Sequence, residues 1–439
     1  MQQLNLNTKF NPVYWQTAVL TTNSGALETR GESKPSDKDY GKMASAIGDL
    51  QNIGVRVELP LINSAGFGFV PDAKNNRIIF SLKGITSMND DATNEIINNR
   101  PYSSFKDFHE RMYLTKKVTR SQILNLIKAG SFNEFGTPQE IMREFLIAET
   151  PVKNNLNGRN LPKIIELGLL NTPERKRFEH YYNIRKSLRD NVVKKIKEDK
   201  NRWLKLHSSL TEQFFMVGFT KESVVSTDNG SLIIDEKLFE KEYKELMLPM
   251  NDLYKDSSFI SSFNNAQYLE LWKQHASGTV ESWEMEAVNF YSDKHEMSYL
   301  NKEFYNIKSF YSLSEEPIVV KERESKNGRV YKEFELTHIS GTVVDKNSNS
   351  HTVSLLTEDS GVIPLKFYSS QYANYDRQIK RNGKIVEKSW FSRGNRLIIS
   401  GYRRDNQFVV RAPYKQNPVH LVHRIDNDGM ALLQQERDL

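Results

Sequence analysis

The chain has 439 residues, more than one hydrophobic core usually supports, so two to four domains are expected. Hydrophobic residues make up 38%, with 23 Phe and 19 Tyr, enough to build several small cores and to argue against wholesale disorder. The complete lack of cysteine rules out disulfides, thiolate metal sites, iron–sulfur clusters and cysteine nucleophiles, and the net charge of +6 is unevenly spread, a pattern that polyphosphate partners favour.

In chain order, the N-terminal MQQLNLNTKF lacks the charged-then-apolar order of a signal peptide, and no apolar run reaches the roughly 18 residues a membrane span needs. A soluble protein without membrane contact is expected. Asn11-Pro12 opens an apolar stretch (VYWQTAVL, 13–20) that reads as a helix with proline in its first turn. The polar run ESKPSDKDY (32–40) reads as a loop. SAIGDLQNIGVRVELP (45–60) predicts an amphipathic helix stopped by Gly54 and a short strand, with further strand runs at 67–70 and 77–82. Amphipathic runs at 91–100, 103–112, 120–130 and 138–149 predict a compact helical region. Residues 151–205 read as helical and strongly basic, with 12 Lys/Arg against 5 Asp/Glu between Glu174 and Lys205, and another helix with its connector is expected over 283–310. From 334 the period changes to two. Five short β runs (334–345, 351–359, 361–368, 395–405 and 407–414), with a 26-residue polar insert at 369–394, follow the plan of a five-stranded OB-fold barrel. The expected fold class is therefore multidomain α+β, a helical region followed by a helical linker and a β-barrel.

Catalytic signals are sparse. The nine histidines show no paired-ligand spacing, and no phosphate loop, nucleophile elbow or Ser/His/Asp ordering is present. The pair Asp426/Asp428 lies in a polar RIDNDG string with no apolar strand to hold it rigid, so it reads as a solvated turn rather than a two-metal clamp. Binding signals are stronger. Between 337 and 415 there are 13 Lys/Arg against 6 Asp/Glu, with nine aromatics among them, the composition of a groove that holds single strands by charge and base stacking. The candidates are Lys366, Phe367, Tyr368, Tyr402, Arg403, Arg404 and Phe408, although alternate aromatics on a strand also fill barrel cores. The turn Lys83-Gly84-Ile85 predicts backbone N–H groups at a helix start, where a phosphate can bind without sequence readout.

Read in order, FNPVYWQTAVLTT (10–22), IGVRVELPLINSA (53–65), RIIFSLKGI (77–85), EIINNRPYSSFKDFHER (95–111) and ILNLIKAGSFNEFG (123–136) resemble the bacterial replicative DNA polymerase III alpha subunit, of the C family of polymerases. WEMEAVNFYSDKHEM (283–297) resembles the helix preceding that family's OB domain, and ISGTVVD, EDSGVIPLKFY and NRLIISGYRRD resemble its OB strands. The resemblance implies that 1–75 form the C-terminal part of the fingers, 76–150 a tandem helix–hairpin–helix region, 151–333 a basic helical region with a clamp-binding segment, 334–415 the OB-fold and 416–439 a tail. It implies DNA contacts at Lys83, Gly84 and Ile85 in a first hairpin, where Thr86 replaces the family's second glycine, and at Lys116, Lys117 and Arg120. A sliding-clamp peptide is expected at MNDLY, through Asp252, Leu253 and Tyr254, or at EQFFM, through Gln213 and Met216.

The expectation is the C-terminal portion of a replicative DNA polymerase that grips primer–template and single-stranded DNA and contacts the sliding clamp, in the cytoplasm of a bacterium or a phage-infected cell. The family's palm, with its metal-binding aspartates, lies N-terminal to these segments. Mg²⁺ and the catalytic residues are therefore expected on a palm-containing partner chain or a missing half, with no catalytic residue, metal site or cofactor in this chain. Met1, just before the fingers match, fits a split gene product or a truncation. The alternative is a non-catalytic OB-fold accessory protein that coats single-stranded nucleic acid.

Overall fold

Pro12 sits in the first turn of α1 (Pro12–Asn23), where its fixed φ suits the helix. The computed structural model describes residues 12–26, 38–196, 200–324, 328, 330–413 and 415–437; Met1, the first two residues of the FNPVYWQ string, most of the expected loop at 32–40 and Tyr414 lie outside the described residues. The chain forms two units, Met1–Met142 with Gly278–Leu439, and Arg143–Ser277.

In the first unit, α2 (Tyr40–Asn52) is capped by the Asp39 carboxylate, which accepts from Lys42 N at 2.9 Å. Its buried face carries Met43, Ala44, Ile47, Gly48 and Leu50. Gly48 lies where the helix runs against the barrel, and a Cβ there would stand 1.9 Å from the Ser360 carbonyl oxygen. β1 (Arg56–Glu58), β2 (Val70–Asp72) and β3 (Arg77–Ile79) form a small sheet in the order β1-β3-β2. The helical region comprises α3 (Asp90–Asn98), α4 (Phe105–Phe108), a π-turn at His109–Tyr113, α5 (Arg120–Lys128) and α6 (Pro138–Glu149). Its core is aromatic: Phe105 and Phe108 meet Phe132 edge-on at 5.1 and 4.9 Å between centroids, and Tyr102 meets Phe108 at 4.9 Å.

The second unit corrects the sequence reading. α7 (Leu161–Glu166) and α8 (Pro173–Arg189) are helical, but the basic run then turns into β4 (Val192–Ile196) and β5 (Asn201–Leu206). After α9 (Thr211–Met216), β6 (Val224–Asp228) and β7 (Ser231–Asp235) complete an antiparallel sheet in the order β4-β5-β7-β6. α10 (Glu236–Leu246), α11 (Met250–Leu253) and α12 (Ser257–His275) follow. Charge does not distinguish helix from strand, whereas the alternation that buries Leu204 and Leu206 does. Asn229 and Gly230, both at positive φ (46° and 77°), supply the tight turn between β6 and β7. Phe178, Tyr181 and Leu188 pack with Leu204, Leu206, Ile234, Phe214, Phe219 and Phe239 in one cluster.

α13 (Val280–Val288) belongs to the first unit again, and the segment that follows it is largely buried. Phe290 stacks on Phe80 at 5.4 Å, the Tyr291 hydroxyl meets Thr342 Oγ1 at 2.8 Å, and Glu296 pairs with Arg396 at 3.0 Å. His295 Nε2 donates to the Leu356 carbonyl at 3.0 Å, while its Nδ1 accepts from Met297 N at 3.0 Å. An exposed ribbon of β8 (Val319–Glu324) and β9 (Val330–Phe334) precedes β10 (Thr337–Asn347), β11 (Thr352–Thr357) and β12 (Val362–Lys366). The insert holds α14 (Ser369–Asp376) and a hairpin of β13 (Ile379–Arg381) and β14 (Lys384–Glu387); β15 (Arg396–Arg404) and β16 (Gln407–Val410) come next. The sheet closes as a five-strand barrel, β10-β11-β12-β16-β15-β10, with β12 and β16 parallel and the other pairs antiparallel. Ile339, Val343, Leu355, Leu365, Leu397 and Phe408 fill it.

Residues after 415, expected as a tail, instead add β17 (Val419–Ile425) beside β15 and β18 (Ala431–Gln434) beside β17. The reason is burial. Val419 and Val422 are apolar anchors, and Arg437 donates to the carbonyls of Asn374 and Tyr375 at 3.0 and 2.7 Å.

Burial pushes His295 down from 6.5 to about 4. The unfolded imidazole takes up a proton as the pH falls below 6.5 and the folded one only near 4, so stability is lost as pH falls through that window. Between pH 7 and pH 5 the loss is about 2 kcal/mol. Urea unfolding should show it in the wild type and not in His295→Gln; parallel pH profiles in the two proteins would count against a buried neutral imidazole.

Candidate nucleic-acid interface

The first hairpin runs from β3 to α3, and its backbone is turned inward. Lys83 N donates to Phe67 O at 3.2 Å, Gly84 N to Ser81 Oγ at 2.9 Å, Ile85 N to Leu82 O at 3.3 Å and Thr86 N to Ala287 O at 2.9 Å. A Cβ on Gly84 would lie 2.6 Å from Ser81 Oγ and 2.9 Å from a Phe80 ring carbon, so this glycine serves close packing. The carbonyls of Lys83, Ile85 and Met88 all accept from one ammonium, Lys38 Nζ, at 2.6, 2.9 and 3.4 Å. Burial brings that amine down to about 8. Lys83 itself is mostly buried and paired with Asp90 at 2.5 Å. α3 opens with Asp90 and Asp91 behind an Asn89 cap, so the positive end of its dipole already faces carboxylates. The expectation of N–H groups open to a phosphate at Lys83, Gly84 and Ile85 is corrected: this turn is filled from within.

The second hairpin has the opposite character. Leu114, Thr115, Lys116 and Lys117 are exposed, with Lys116 at φ 61°. Thr119 caps α5 in a reciprocal box with Gln122, and no acidic residue occupies the first turn, which Arg120 begins. Lys117 meets Glu95 at 3.0 Å, but both are well exposed and such a pair holds weakly. Lys116, Lys117 and Arg120 therefore share one basic turn at the positive end of a helix.

On the barrel, the candidates separate by which way the strand turns them. Phe367 and Phe408 are core residues, Phe367 packing on Phe391 at 4.8 Å, and neither offers a face to a base. Tyr402 is buried against Phe334 at 4.7 Å. Arg403 is buried, paired with Glu315 at 3.0 Å, donating to the Leu313 carbonyl at 3.0 Å and lying over the Phe310 ring at 4.7 Å. These four are corrected from binding to structural positions: inward parity claims Phe367, Arg403 and Phe408, while Tyr402, on the other face of β15, is claimed by the Phe334 ring packed on it. Lys366 donates to the Ser350 carbonyl, and Arg404 is exposed. Tyr368 is 49% exposed, and the Arg411 guanidinium lies 3.7 Å over its ring. The parallel register Leu365↔Phe408 and Lys366↔Val409, continued two residues, makes Tyr368 and Arg411 neighbours. Sequence reasoning misses Arg411, since nothing local to it signals a ring 43 residues away. The Leu356 and Val362 end of this face is covered by Ala44 of α2.

In the second unit, MNDLY is not a free peptide. Met250 and Tyr254 are buried, Leu253 packs on the same cluster, and burial pushes the Tyr254 phenol up to about 12. Asp252 alone of the three candidates there is exposed. In EQFFM, Phe214 is buried and Gln213 contacts His180 Nδ1 at 2.5 Å, while Phe215 and Met216 are exposed at 36% and 79%. Among the described residues no three His, Asp or Glu side chains gather as a metal site. Asp426 folds onto its own turn, accepting from Asp428 N at 3.0 Å and Met430 N at 2.7 Å.

Residues 54–142 match the family model of the helix-hairpin-helix motif, which puts this region in a class of modules that contact the nucleic-acid backbone. The chain as a whole is homologous to part of a DNA polymerase. It is 37% identical over its entire length to the probable DNA polymerase YorL of Bacillus subtilis (strain 168) and, equally, to the DNA-directed DNA polymerase of Bacillus phage SPbeta, covering 34% of each. Over 28% of its length the chain is also 34% identical to the DNA polymerase III subunit alpha of Chlamydia muridarum, of which it covers 9%. The chain thus spans about a third of the length of the curated relatives it matches throughout.

The two hairpins should respond differently to substitution. Lys116→Glu with Lys117→Glu should weaken duplex binding at least tenfold and lower the slope of log K against log salt by about 2. Lys83→Gln should leave that slope unchanged. Fluorescence anisotropy across a salt series measures both, and equal responses would refute the distinction.

Proposed function

We propose that this chain is the DNA-gripping portion of a polymerase of the DNA polymerase III alpha type, holding primer–template and single-stranded DNA during synthesis. The observation that carries the reading is homology over the whole of this chain to a third of two DNA polymerases, in a chain whose second hairpin and barrel both present exposed cations, Lys116 and Arg404 among them. On this reading residues 1–75 end the fingers, 76–150 are the hairpin module and the barrel is an OB-fold. The strand order and the helix α14 between its third and fourth strands support that last assignment. Lys116, Lys117 and Arg120 take duplex phosphates, while Tyr368, Arg411, Lys366 and Arg404 hold a single strand by stacking and charge.

Template-directed nucleotide addition needs converging carboxylates for Mg²⁺. The described residues do not fit that demand, so we place the chemistry on a palm outside this sequence, consistent with the two thirds of each relative that it does not cover. The setting is the cytoplasm of a bacterium or a phage-infected cell; no helix among the described residues is long and apolar enough to cross a membrane.

The chain should bind an oligonucleotide and a primed duplex with affinity that falls steeply as salt rises, without extending a primer when given Mg²⁺ and nucleotides. Tyr368→Ala with Arg411→Glu should cost single-strand affinity roughly tenfold, in line with about 1–3 kcal/mol per stacked base. Salt-independent binding, or no binding, would remove the proposal.

A sliding clamp is the proposed protein partner, and the exposed Phe215 and Met216 are the side chains best placed to enter its pocket. Capture of the chain on immobilised clamp should be lost in Phe215→Ser with Met216→Ser and kept in Asp252→Ala. The reverse pattern would return the contact to MNDLY.

A further inference from the structure

The second unit presents a surface that the proposed function leaves unused. Residues 191–205 hold six Lys/Arg against two Asp/Glu, and β4 and β5 are formed within this stretch. Along β5, Leu204 and Leu206 point into the unit's apolar cluster, together with Leu232 and Ile234 of β7 and Phe178 and Leu188 of α8. Period-two alternation turns Trp203 and Lys205 to the opposite face. The register Lys194↔Trp203 and Lys205↔Ile233 brings Lys194 and Ile233 onto that face. Ile233 is buried on that face, whereas Trp203 is half-buried and outside the unit's apolar cluster.

The charges on this stretch are of two kinds. Several cations are already neutralised: Arg185 by Glu240 at 2.6 Å, Lys205 by Asp228 at 2.7 Å, and Arg202 by Glu236. Lys194 and Lys195 are different. Both are exposed on the edge strand, and neither has a carboxylate partner among the described residues. Lys194 Nζ instead lies 4.7 Å from the centre of the Trp203 ring. Unneutralised lysines attract any polyanion, but a half-buried indole beside one of them selects for one with planar rings on a flexible backbone. A duplex keeps its base faces stacked, and an acidic peptide has no use for the indole. A single strand uses both.

We propose that the exposed β4 edge of this sheet binds single-stranded DNA, with Lys194 on the Trp203 side of the edge and Lys195, opposite Arg202, on its other side each holding a phosphate, and Trp203 under a base that displaces the Lys194 ammonium onto the backbone. This rests on the reading of the chain as a DNA-gripping one, and adds to it a third point of hold, on the unit that carries neither the hairpin module nor the barrel.

The test uses the full chain and an oligothymidylate carrying 5-iodouracil. Irradiation should crosslink Trp203 or its tryptic peptide. Lys194→Glu with Lys195→Glu should lower single-strand affinity five- to tenfold, reduce the salt slope by about 1.4 and leave duplex affinity unchanged. Lys194→Ala with Lys195→Ala, with less effect on folding, should move both quantities in the same direction. Unchanged affinity and slope, crosslinks confined to other peptides, or displacement by polyglutamate as readily as by oligonucleotide would overturn the proposal while leaving the broader reading intact. Failure of the wild type to bind any DNA would overturn both.

Discussion

The backbone between Val280 and Met297 is held between the helical region and the barrel, and it brings polar groups into a place where each must find a partner. Glu284 accepts from Ser292 N and Oγ at 2.9 and 2.8 Å, His295 is bonded through both ring nitrogens, and Glu296 is paired with Arg396. Burial raises both carboxyls and lowers the imidazole, so every one of these groups is less willing to carry charge than it would be in water. Those bonds bind the hairpin module to the barrel, helped by Lys128 on Glu286 at 2.6 Å and Thr86 N on Ala287 O. A lost partner here leaves a buried polar group unpaired, which typically costs about 1–3 kcal/mol.

That anchoring has a cost for the first hairpin. Its amides point at neighbouring loops and its carbonyls converge on the Lys38 ammonium, so the turn is organised around an internal cation instead of an external anion. The second hairpin, farther along the chain, keeps its lysines in water. Two turns of related design thereby take separate parts, one fastening the module and one free to meet a phosphate. The acidic start of α3 and the neutral, basic-flanked start of α5 express the same division in electrostatic terms.

The barrel strands were readable because Ile363, Leu365 and Phe367 alternate, and it is this alternation that puts Phe367 in the core and overturns its reading as a base-stacking ring. The helical region was readable from its amphipathic runs. The sheet of the second unit was hidden behind its charge, although Asn229-Gly230 announced a hairpin. Arg403 could not have been placed from its neighbours, since its partners Glu315 and Leu313 come from a connector with no period of its own. Arg411 was equally out of reach, because its pairing with Tyr368 depends on two parallel strands meeting across the barrel seam.

The missing side chain at position 48 limits how this architecture can vary. With the Ser360 carbonyl occupying the space where any other residue would place its first carbon, α2 and the barrel wall are separated by little more than backbone thickness. Even alanine would pry the two apart, so drift at this seam must proceed through the β11–β12 turn, by shortening or re-aiming it, before the helix can accept anything larger.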